Sequence, residues 1–450
     1  MSRALLVCCD GTWNDALKKD AHTEGGEEAP SNVWNVYRCA NRKEGETKVY
    51  FKGLGTDGVW DRFLGGVWGF GIGNAICQAY AWLLTHYRVG DRIYLVGFSR
   101  GAFTVRSLAG LIGCRGLNSA WANKEADELK KGIQTEYEAY RNNEPSSETK
   151  PDIHFLGVFD TVGKLGVPDN RGIANLFDKP TTWAFHDTTL GAHIRHARHA
   201  VAIDECRKDF HPTLWVNETG RAIYHVEEKQ RSVKQLWFCG MHTDIGGGEN
   251  RLVTNIALRW MLEEAKACGL PLKANALDLE MNSHAPLTPE SHLFAGIKWT
   301  RYPRAIPRLD AANVGLQLHA SVIERCTQTG YRPTLEVGAK GISIPLVHHS
   351  RARTQSWVPS NVWLENGETY SAQKKGGAAL RIVGYIANSG NPRPDGTCPT
   401  HERISLEKPF RVKNGGGYLY FTIFLTLPPK RGRPPKKQEA CIQLGKMAPC

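Results

Sequence analysis

The sequence predicts an α/β fold in which a mostly parallel sheet carries helices on both faces, followed by a small C-terminal β-sandwich. Up to about residue 281, short apolar runs alternate with segments of helical spacing, which is typical of a parallel sheet with crossover helices. One run, residues 91–96, leads through two glycines into a helical pattern at residues 102–112. Beyond about residue 334, β-rich segments are separated by turns, which indicates a sandwich.

The first predicted element is a strand at residues 4–9, an unbroken apolar run of the kind that a buried parallel strand requires. It ends in a polar turn that contains Asp10, Gly11 and Thr12. Because Gly11 has no side chain, the backbone of this turn can approach a ligand closely. Asp10 is predicted to support the site by ordering the turn through its backbone N–H groups.

Residues 59–73 combine large apolar side chains with five glycines, so they cannot pack as one rigid helix. Two interpretations stay open, a lid over the site and a buried loop over the sheet edge. In the first, aromatic side chains form a path for an acyl chain or a surface that enters a membrane. These side chains are Trp60, Phe63, Trp68 and Phe70. Helical spacing resumes at residues 74–87.

Residues 93–106 carry the clearest indication of catalytic chemistry. Ser99 lies between Gly97 and Gly101, after an apolar strand and before a helix, which is the G-x-S-x-G pattern of a nucleophile elbow. Such a turn raises the Ser99 hydroxyl above the sheet. It also places the backbone N–H of Arg100 at a helix N-terminus, where it can bind an oxyanion. We predict that the Gly11–Thr12 turn supplies the second oxyanion donor.

Two further strands supply an acid and a base at their carboxyl ends, where the sites of α/β proteins collect. Residues 154–159 end at Asp160, and residues 235–240 end shortly before His242. After such an elbow the acid and then the histidine follow the serine along the chain, which favours Asp160 and His242 as the partners of Ser99. Residues 186–199, which lie between them, are predicted as a loop and a helix. His319 stays open as an alternative to His242, and Asp204 and Asp244 stay open as alternatives to Asp160.

The predicted catalytic domain takes residues 1–333, with a polar insert at residues 118–150 and a helical cover at residues 282–333. Residues 334–427 form the predicted sandwich, in which Trp357 and Trp363 resemble the aromatic residues of jelly-roll carbohydrate-binding modules. Sandwich cores use the same aromatic residues, so a glycan-binding role and a structural role both stay open.

Residues 428–450 form a predicted basic, proline-rich tail. Its Lys430, Arg431 and Arg433 resemble an AT-hook core, which binds the minor groove of A·T-rich DNA. The alternative is a solvated, disordered segment, because this composition cannot fold alone. The net charge of +12 favours anionic membranes or polymers as partners without identifying either.

The composition excludes several other classes of protein. No apolar run approaches the roughly 20 residues that cross a bilayer. The first ten residues lack a signal-peptide cleavage pattern, so we expect a cytoplasmic protein, with secretion by a signal-independent route left open. The 12 cysteines show no metal-binding spacing and are predicted to be reduced thiols. We expect neither a metal nor an organic cofactor.

Six short segments together resemble the α/β-hydrolase family that includes the type VI secretion phospholipase effectors of the first Tle class. They are residues 9–14, 53–57, 97–106, 159–163, 199–205 and 242–248. The resemblance extends over roughly residues 1–333. It implies a triad of Ser99, Asp160 and His242 acting on phospholipid acyl esters. Asp10 and Asp244 are predicted separately to support this site. It also implies a secretion-apparatus or immunity protein as a partner.

Three functions stay open at this point. The first is a lipolytic serine hydrolase, most simply a phospholipase of the A1 or A2 type that acts as an antibacterial secreted effector. The second is a soluble carboxylesterase or deacylase, which shares the chemistry and differs in the pocket. The third is a nucleic-acid-binding or glycan-binding protein on a hydrolase scaffold. The elbow and the ordered acid and base favour an enzyme that cleaves lipid esters.

Overall fold

The structure is a computed structural model. It describes most of the N-terminal region and the strands of the C-terminal region. The described residues are 2–11, 30–52, 72–121, 124–162, 190–207, 210–217, 222–248, 250–288, 293–294, 297–298, 304, 317–329, 331, 333, 342–348, 354–364, 369–376, 380–387, 401–404, 410–412, 417–425 and 438–446.

A seven-stranded sheet forms the centre of the N-terminal region. Its strands are β1 (Ala4–Cys9), β2 (Lys48–Phe51), β3 (Arg92–Phe98), β4 (Ile153–Phe159), β5 (Ile194–Ala202), β6 (His225–Glu228) and β7 (Arg231–Phe238). Their order across the sheet is β2-β1-β3-β4-β5-β7-β6. All neighbours are parallel except β6 and β7, which pair antiparallel. The predicted α/β class with a mostly parallel sheet is therefore confirmed.

Helices cover both faces of this sheet. They are α1 (Asn32–Cys39), α2 (Ile72–His86), α3 (Arg100–Arg115), α4 (Ala126–Arg141), α5 (His242–Gly246), α6 (Arg251–Ala267) and α7 (Ala320–Thr329), with a 3-10 turn at Ser119–Trp121. Strand β1 shows how the two layers arise, because successive side chains of a strand point to opposite faces. Leu5 and Val7 pack with α2, α3 and α4, whereas Leu6 and Cys8 pack with α1 and α6. Its unbroken apolar sequence agrees with burial on both faces.

Strand β5 differs from the prediction. Residues 186–199 were expected in a loop and a helix, but residues 194–202 form β5, between β4 and β7. The pattern was missed because this central strand carries basic side chains. Arg198 is buried, and its charge is balanced by Glu264 at 2.6 Å. His199 is buried and hydrogen-bonded to Gln235, so both polar groups are satisfied inside the sheet.

The C-terminal region is β-rich, as predicted. Its strands are β10 (Ile342–His348), β11 (Thr354–Leu364), β12 (Thr369–Gly376), β13 (Leu380–Ala387), β14 (His401–Ile404), β15 (Phe410–Arg411), β16 (Gly417–Leu425) and β17 (Gln438–Lys446). The hairpin of β8 (Leu293–Phe294) and β9 (Ile297–Lys298) precedes them, within residues 282–333, which were expected to form a helical cover. Strands β10 to β17 form two antiparallel sheets, β10-β17-β12-β15 and β11-β16-β13-β14. Face-to-face packing of the two as a sandwich stays a prediction. Strand β17 lies inside the segment that the sequence analysis assigned to the tail.

The chain divides into two compact units. One consists of Met1–Tyr302 and Asn313–Tyr331, and the other of Pro303–Ala312 and Arg332–Cys450. The domain boundaries given in the sequence analysis stay a prediction. Among the described residues, no helix is both long enough and apolar enough to span a bilayer.

Candidate active site

The turn between β3 and α3 has the geometry of a strained elbow. Ser99 adopts a φ of 55°, which is uncommon for a residue with a side chain. A Cβ atom at Gly97 would lie 2.5 Å from the carbonyl oxygen of Gly101. A Cβ atom at Gly101 would lie 2.1 Å from the carbonyl oxygen of Cys9, on the neighbouring strand. Both contacts are shorter than atoms allow, so the turn can form only with glycine at each position.

The structure brings Ser99, His242 and Asp160 into one hydrogen-bonded chain. The Nε2 atom of His242 lies 2.8 Å from the Ser99 hydroxyl oxygen. Its Nδ1 atom lies 2.6 Å from Oδ2 of Asp160. Because an ionised carboxylate only accepts, Nδ1 carries the proton and donates it to Asp160. The neutral ring then presents Nε2 as an acceptor for the serine hydroxyl.

The fold places these three groups through the carboxyl ends of three strands. Ser99 follows β3, Asp160 follows β4 and His242 begins α5, shortly after β7. Asp160 has a φ of 40°, a second strained position in the site. Its Oδ1 atom accepts the backbone N–H of Ala202 at 2.9 Å. Both carboxylate oxygens are therefore engaged, which fixes the orientation of Asp160 towards the imidazole.

His199 holds the residue that follows Asp160. The backbone N–H of Thr161 donates to Nε2 of His199 at 3.2 Å, and Nδ1 of His199 lies 2.8 Å from Oε1 of Gln235. Since Nε2 accepts, Nδ1 carries the proton of this buried ring. The strained turn at Asp160 is thus tied to β5 and β7. Sequence reasoning missed this role because it placed His199 in a helix.

The two candidate sources of oxyanion donors, Arg100 and the Gly11–Thr12 turn, differ in the described structure. The backbone N–H of Arg100 belongs to the first turn of α3, whose N–H groups lack partners within the helix. Gly11 lies against the elbow, since a Cβ atom there would be 3.4 Å from Cβ of Ser99. However, the Gly11 N–H donates to Oδ1 of Asp10 at 2.7 Å. This conformation therefore does not offer it to an oxyanion, and Thr12 lies outside the described residues.

Asp10 follows β1 directly, begins this turn and is buried. In addition to the Gly11 N–H, its carboxylate accepts the hydroxyl of Tyr50 at 2.5 Å and that of Ser31. Ser31 is the N-cap of α1 and accepts the backbone N–H of Trp34. Asp10 thus ties the turn after β1 to both β2 and α1.

Neither alternative acid contacts His242 through its side chain in the described structure. Asp244 accepts the backbone N–H of Met241 at 2.9 Å and the hydroxyl of Thr288 at 2.6 Å. Asp204 accepts the N–H of Gly240 at 2.6 Å and the hydroxyl of Tyr331 at 2.7 Å. Both side chains hold the turn that connects β7 to α5.

The alternative base, His319, is a helix cap. Its Nδ1 atom lies 2.9 Å from the hydroxyl of Ser321 and accepts that residue's backbone N–H at 3.3 Å. The ring stacks on Phe238, with the ring centroids 4.5 Å apart. Burial lowers the pKa of His319 to about 4. The described contacts of its side chain are with α7 and β7, and do not include the Ser99 hydroxyl.

A buried ion pair that the sequence analysis did not identify lies against His242. Glu205 and Arg207 form a two-pronged pair, with N–O distances of 2.8 and 2.7 Å. Oε2 of Glu205 accepts the backbone N–H of His242 at 3.3 Å. The guanidinium of Arg207 lies 3.6 Å from the ring centroid of Phe210, and the rings of Phe210 and His242 meet edge to face. The pair thus contacts the backbone of the histidine directly and its ring through Phe210.

Some predicted site residues cannot be placed. The aromatic residues Trp60, Phe63, Trp68 and Phe70 lie outside the described residues, as do Lys430, Arg431 and Arg433. Among the residues that are described, no group of three or more His, Cys, Asp or Glu side chains is arranged to hold a metal ion.

Residues 3–264 match a protein family described as "T6SS, Phospholipase effector Tle1-like, catalytic domain". The uncharacterized protein YEL023C of Saccharomyces cerevisiae is 28% identical over 248 residues, which cover 46% of this chain and 32% of the yeast protein. The chain thus spans about a third of the length of that curated relative.

Two solved structures show similarity at low TM-scores. The Tle1 effector bound to the VgrG spike of the type 6 secretion system has a TM-score of 0.30 and 18% identity, over 56% of this chain and 52% of that chain. The Aeromonas hydrophila periplasmic lysozyme inhibitor PliG has a TM-score of 0.17 and 11% identity, over 25% of this chain and 96% of its own. The family match at residues 3–264 covers more than half of this chain. The chain therefore belongs to the family of catalytic domains of Tle1-like type VI secretion phospholipase effectors.

Proposed function

We propose that this protein is a serine hydrolase that cleaves the carboxylic esters of phospholipids, as a phospholipase of the A1 or A2 type. The observation that carries the proposal is the hydrogen-bonded chain from Asp160 through His242 to Ser99. A serine hydroxyl is a weak nucleophile until a base removes its proton, and a histidine oriented by a carboxylate is such a base.

In the proposed reaction, Ser99 Oγ attacks the ester carbonyl carbon while His242 Nε2 takes the hydroxyl proton. The negative charge moves to the carbonyl oxygen, where the backbone N–H of Arg100 stabilises it. The tetrahedral intermediate collapses, and the imidazolium passes its proton to the departing alcohol. Water then attacks the acyl-enzyme by the same route in reverse, releasing the fatty acid. Asp160 stays ionised and stabilises the imidazolium throughout.

Phospholipid is the proposed substrate because the family is named for phospholipase effectors. On the same basis we propose delivery by a type VI secretion apparatus, with a spike protein as the carrier, an immunity protein as a second partner and a membrane surface as the place of action. The solved Tle1 effector is bound to such a spike.

The test is fatty-acid release from phospholipid vesicles by the full chain, with short-chain nitrophenyl esters in parallel. Ser99→Ala should abolish release. Ser107→Ala is the matched control, because it removes a buried hydroxyl from α3, the helix that follows Ser99. Cleavage of the nitrophenyl esters without vesicle hydrolysis would identify a soluble esterase. Inactivity on both substrates would contradict the proposal.

A further inference from the structure

The side chain of Arg100 is a positive charge beside the candidate nucleophile that the reaction above does not use. Arg100 is the first residue of α3 and follows Ser99 directly. Adjacent Cα atoms are about 3.8 Å apart, so the guanidinium group stays within one side-chain length of the elbow. The residue is half-buried, which means that protein surrounds most of this charge.

No hydrogen bond or ion pair joins the Arg100 guanidinium to any residue that the structure describes. Burial lowers the pKa of Arg100 to about 10, and no acidic side chain among the described residues offsets this effect. The group nevertheless stays protonated at neutral pH. Other buried arginines near the site have partners, such as Arg207 with Glu205 and Arg198 with Glu264. A half-buried cation without a countercharge is unusual, because burial disfavours the charged form.

Four carboxylates of the described residues near the elbow are engaged with other groups. Asp160 binds His242 and the Ala202 N–H, while Asp10 accepts hydroxyl groups from Ser31 and Tyr50. Glu205 is held by Arg207, and Asp244 by Met241 and Thr288. Each of these acids would have to break a buried interaction to reach Arg100. Within the part of the chain that the structure describes, none of these carboxylates pairs with Arg100, and its positive charge is available to an anionic group that comes from outside the protein.

We propose that the Arg100 side chain binds the phosphate group of the phospholipid while Ser99 attacks its ester. This inference rests on the proposed function and specifies what the same site recognises. In a phospholipid, the phosphate and the ester carbonyl are joined through one glycerol unit, so one residue can contact both groups. The Arg100 backbone N–H faces the oxyanion, and its side chain pairs with the phosphate. Guanidinium–phosphate pairing is strong because two parallel hydrogen bonds add to the charge attraction.

The arrangement makes the site selective for phospholipids over neutral glycerides. A diacylglycerol carries the same esters without the phosphate, so it would leave Arg100 half-buried and unpaired. Loss of one charged hydrogen-bond partner corresponds to about a tenfold to hundredfold change in kcat/KM. The wild-type protein should therefore prefer a phospholipid to the matched diacylglycerol by about that factor.

The test compares phosphatidylethanolamine and diacylglycerol of equal chain length in mixed micelles. Arg100→Met should lower kcat/KM for the phospholipid more than for the diacylglycerol, so that the preference falls by about tenfold or more. Arg100→Lys should retain part of the preference, because an ammonium group still attracts phosphate. Arg259→Met is the matched control, since Arg259 is an exposed arginine paired with Glu263. A parallel loss on both substrates, or an unchanged preference, would overturn the inference.

A binding measurement separates this inference from the proposed hydrolysis. The Ser99→Ala protein and the Ser99→Ala, Arg100→Met double variant are titrated with a dihexanoyl phospholipid below its micelle concentration. The double variant should bind about tenfold or more weakly. Equal binding by the two proteins would refute the role of Arg100, even if the wild-type protein hydrolyses phospholipids. A difference in binding without any hydrolysis by the wild-type protein would retain phosphate recognition and refute the proposed function.

Discussion

The backbone N–H of His242 donates to Oε2 of Glu205, at 3.3 Å. The histidine is thus held by two different carboxylates, Asp160 at its ring and Glu205 at its backbone. Glu205 is fully buried, and Arg207 balances its charge. Because Arg207 also lies against Phe210, which contacts the imidazole ring, the ion pair fixes His242 from two sides.

Glu205→Gln should therefore reduce both stability and turnover. The substitution keeps the shape of the side chain but removes the carboxylate charge that faces the buried guanidinium of Arg207. Removing one partner of a buried ion pair typically lowers the free energy of unfolding by about 3–5 kcal/mol. Urea unfolding measures this loss, and kcat on a nitrophenyl ester measures the displacement of His242.

The double variant Glu205→Gln, Arg207→Met is the control for this interpretation. It removes both charges, so it should recover part of the stability that the single variant loses. Turnover should stay low in the double variant, because the contact of Arg207 with Phe210 is also lost. If the double variant were less stable than the single variant, the loss of charge balance between Glu205 and Arg207 would not explain the first result.

The sequence predicted much of the central sheet and the elbow because their requirements are local. The predicted strands are unbroken apolar runs, and the turn at Ser99 needs glycine at positions 97 and 101. Strand β5 was not predicted, since its polar residues find their partners only across the sheet, as Arg198 does with Glu264. The pair of Glu205 and Arg207 has no sequence pattern, because its importance comes from the distant His242.

Asp160→Asn should lower kcat by about a thousandfold or more without unfolding the protein. The Ala202 N–H needs an acceptor, so the amide oxygen of the variant takes the place of Oδ1. The amide NH2 group then faces Nδ1 of His242, which must accept instead of donate. Nε2 consequently carries the proton and cannot take one from Ser99. Single-turnover kinetics on a nitrophenyl ester, together with a thermal unfolding curve, measure the two effects separately.

Asp244→Asn provides the contrast to that prediction. The Asp244 carboxylate accepts backbone and hydroxyl donors from Met241 and Thr288, and an amide nitrogen cannot accept them. This variant should therefore lose stability, whereas its kcat, per folded molecule, should fall much less than that of Asp160→Asn. Equal losses of kcat in the two variants would contradict the assignment of Asp160 as the partner of His242.

Gly101→Ala should destabilise the protein strongly, because the new Cβ atom would lie 2.1 Å from the Cys9 carbonyl oxygen. Strand β1 or helix α3 must move to relieve this contact, and overpacking of this kind typically costs about 1–3 kcal/mol or more. Gly248→Ala is the matched control, since its nearest contact would be an ordinary 3.5 Å. Urea unfolding of both variants tests the prediction. Similar midpoints for Gly101→Ala and wild type would show that the elbow can relax.

Acid should destabilise the protein partly through His319. Burial lowers the pKa of this histidine from 6.5 to about 4, so the unfolded chain binds its proton more readily than the folded protein. The contribution of neutral His319 to stability is complete above about pH 6.5 and is lost as the pH falls towards about 4. His319→Asn keeps an acceptor for the Ser321 N–H and cannot titrate. Between pH 7 and pH 4, wild type should therefore lose about 1–3 kcal/mol more unfolding free energy than the variant. Parallel stability curves for the two proteins would show that His319 does not contribute to acid sensitivity.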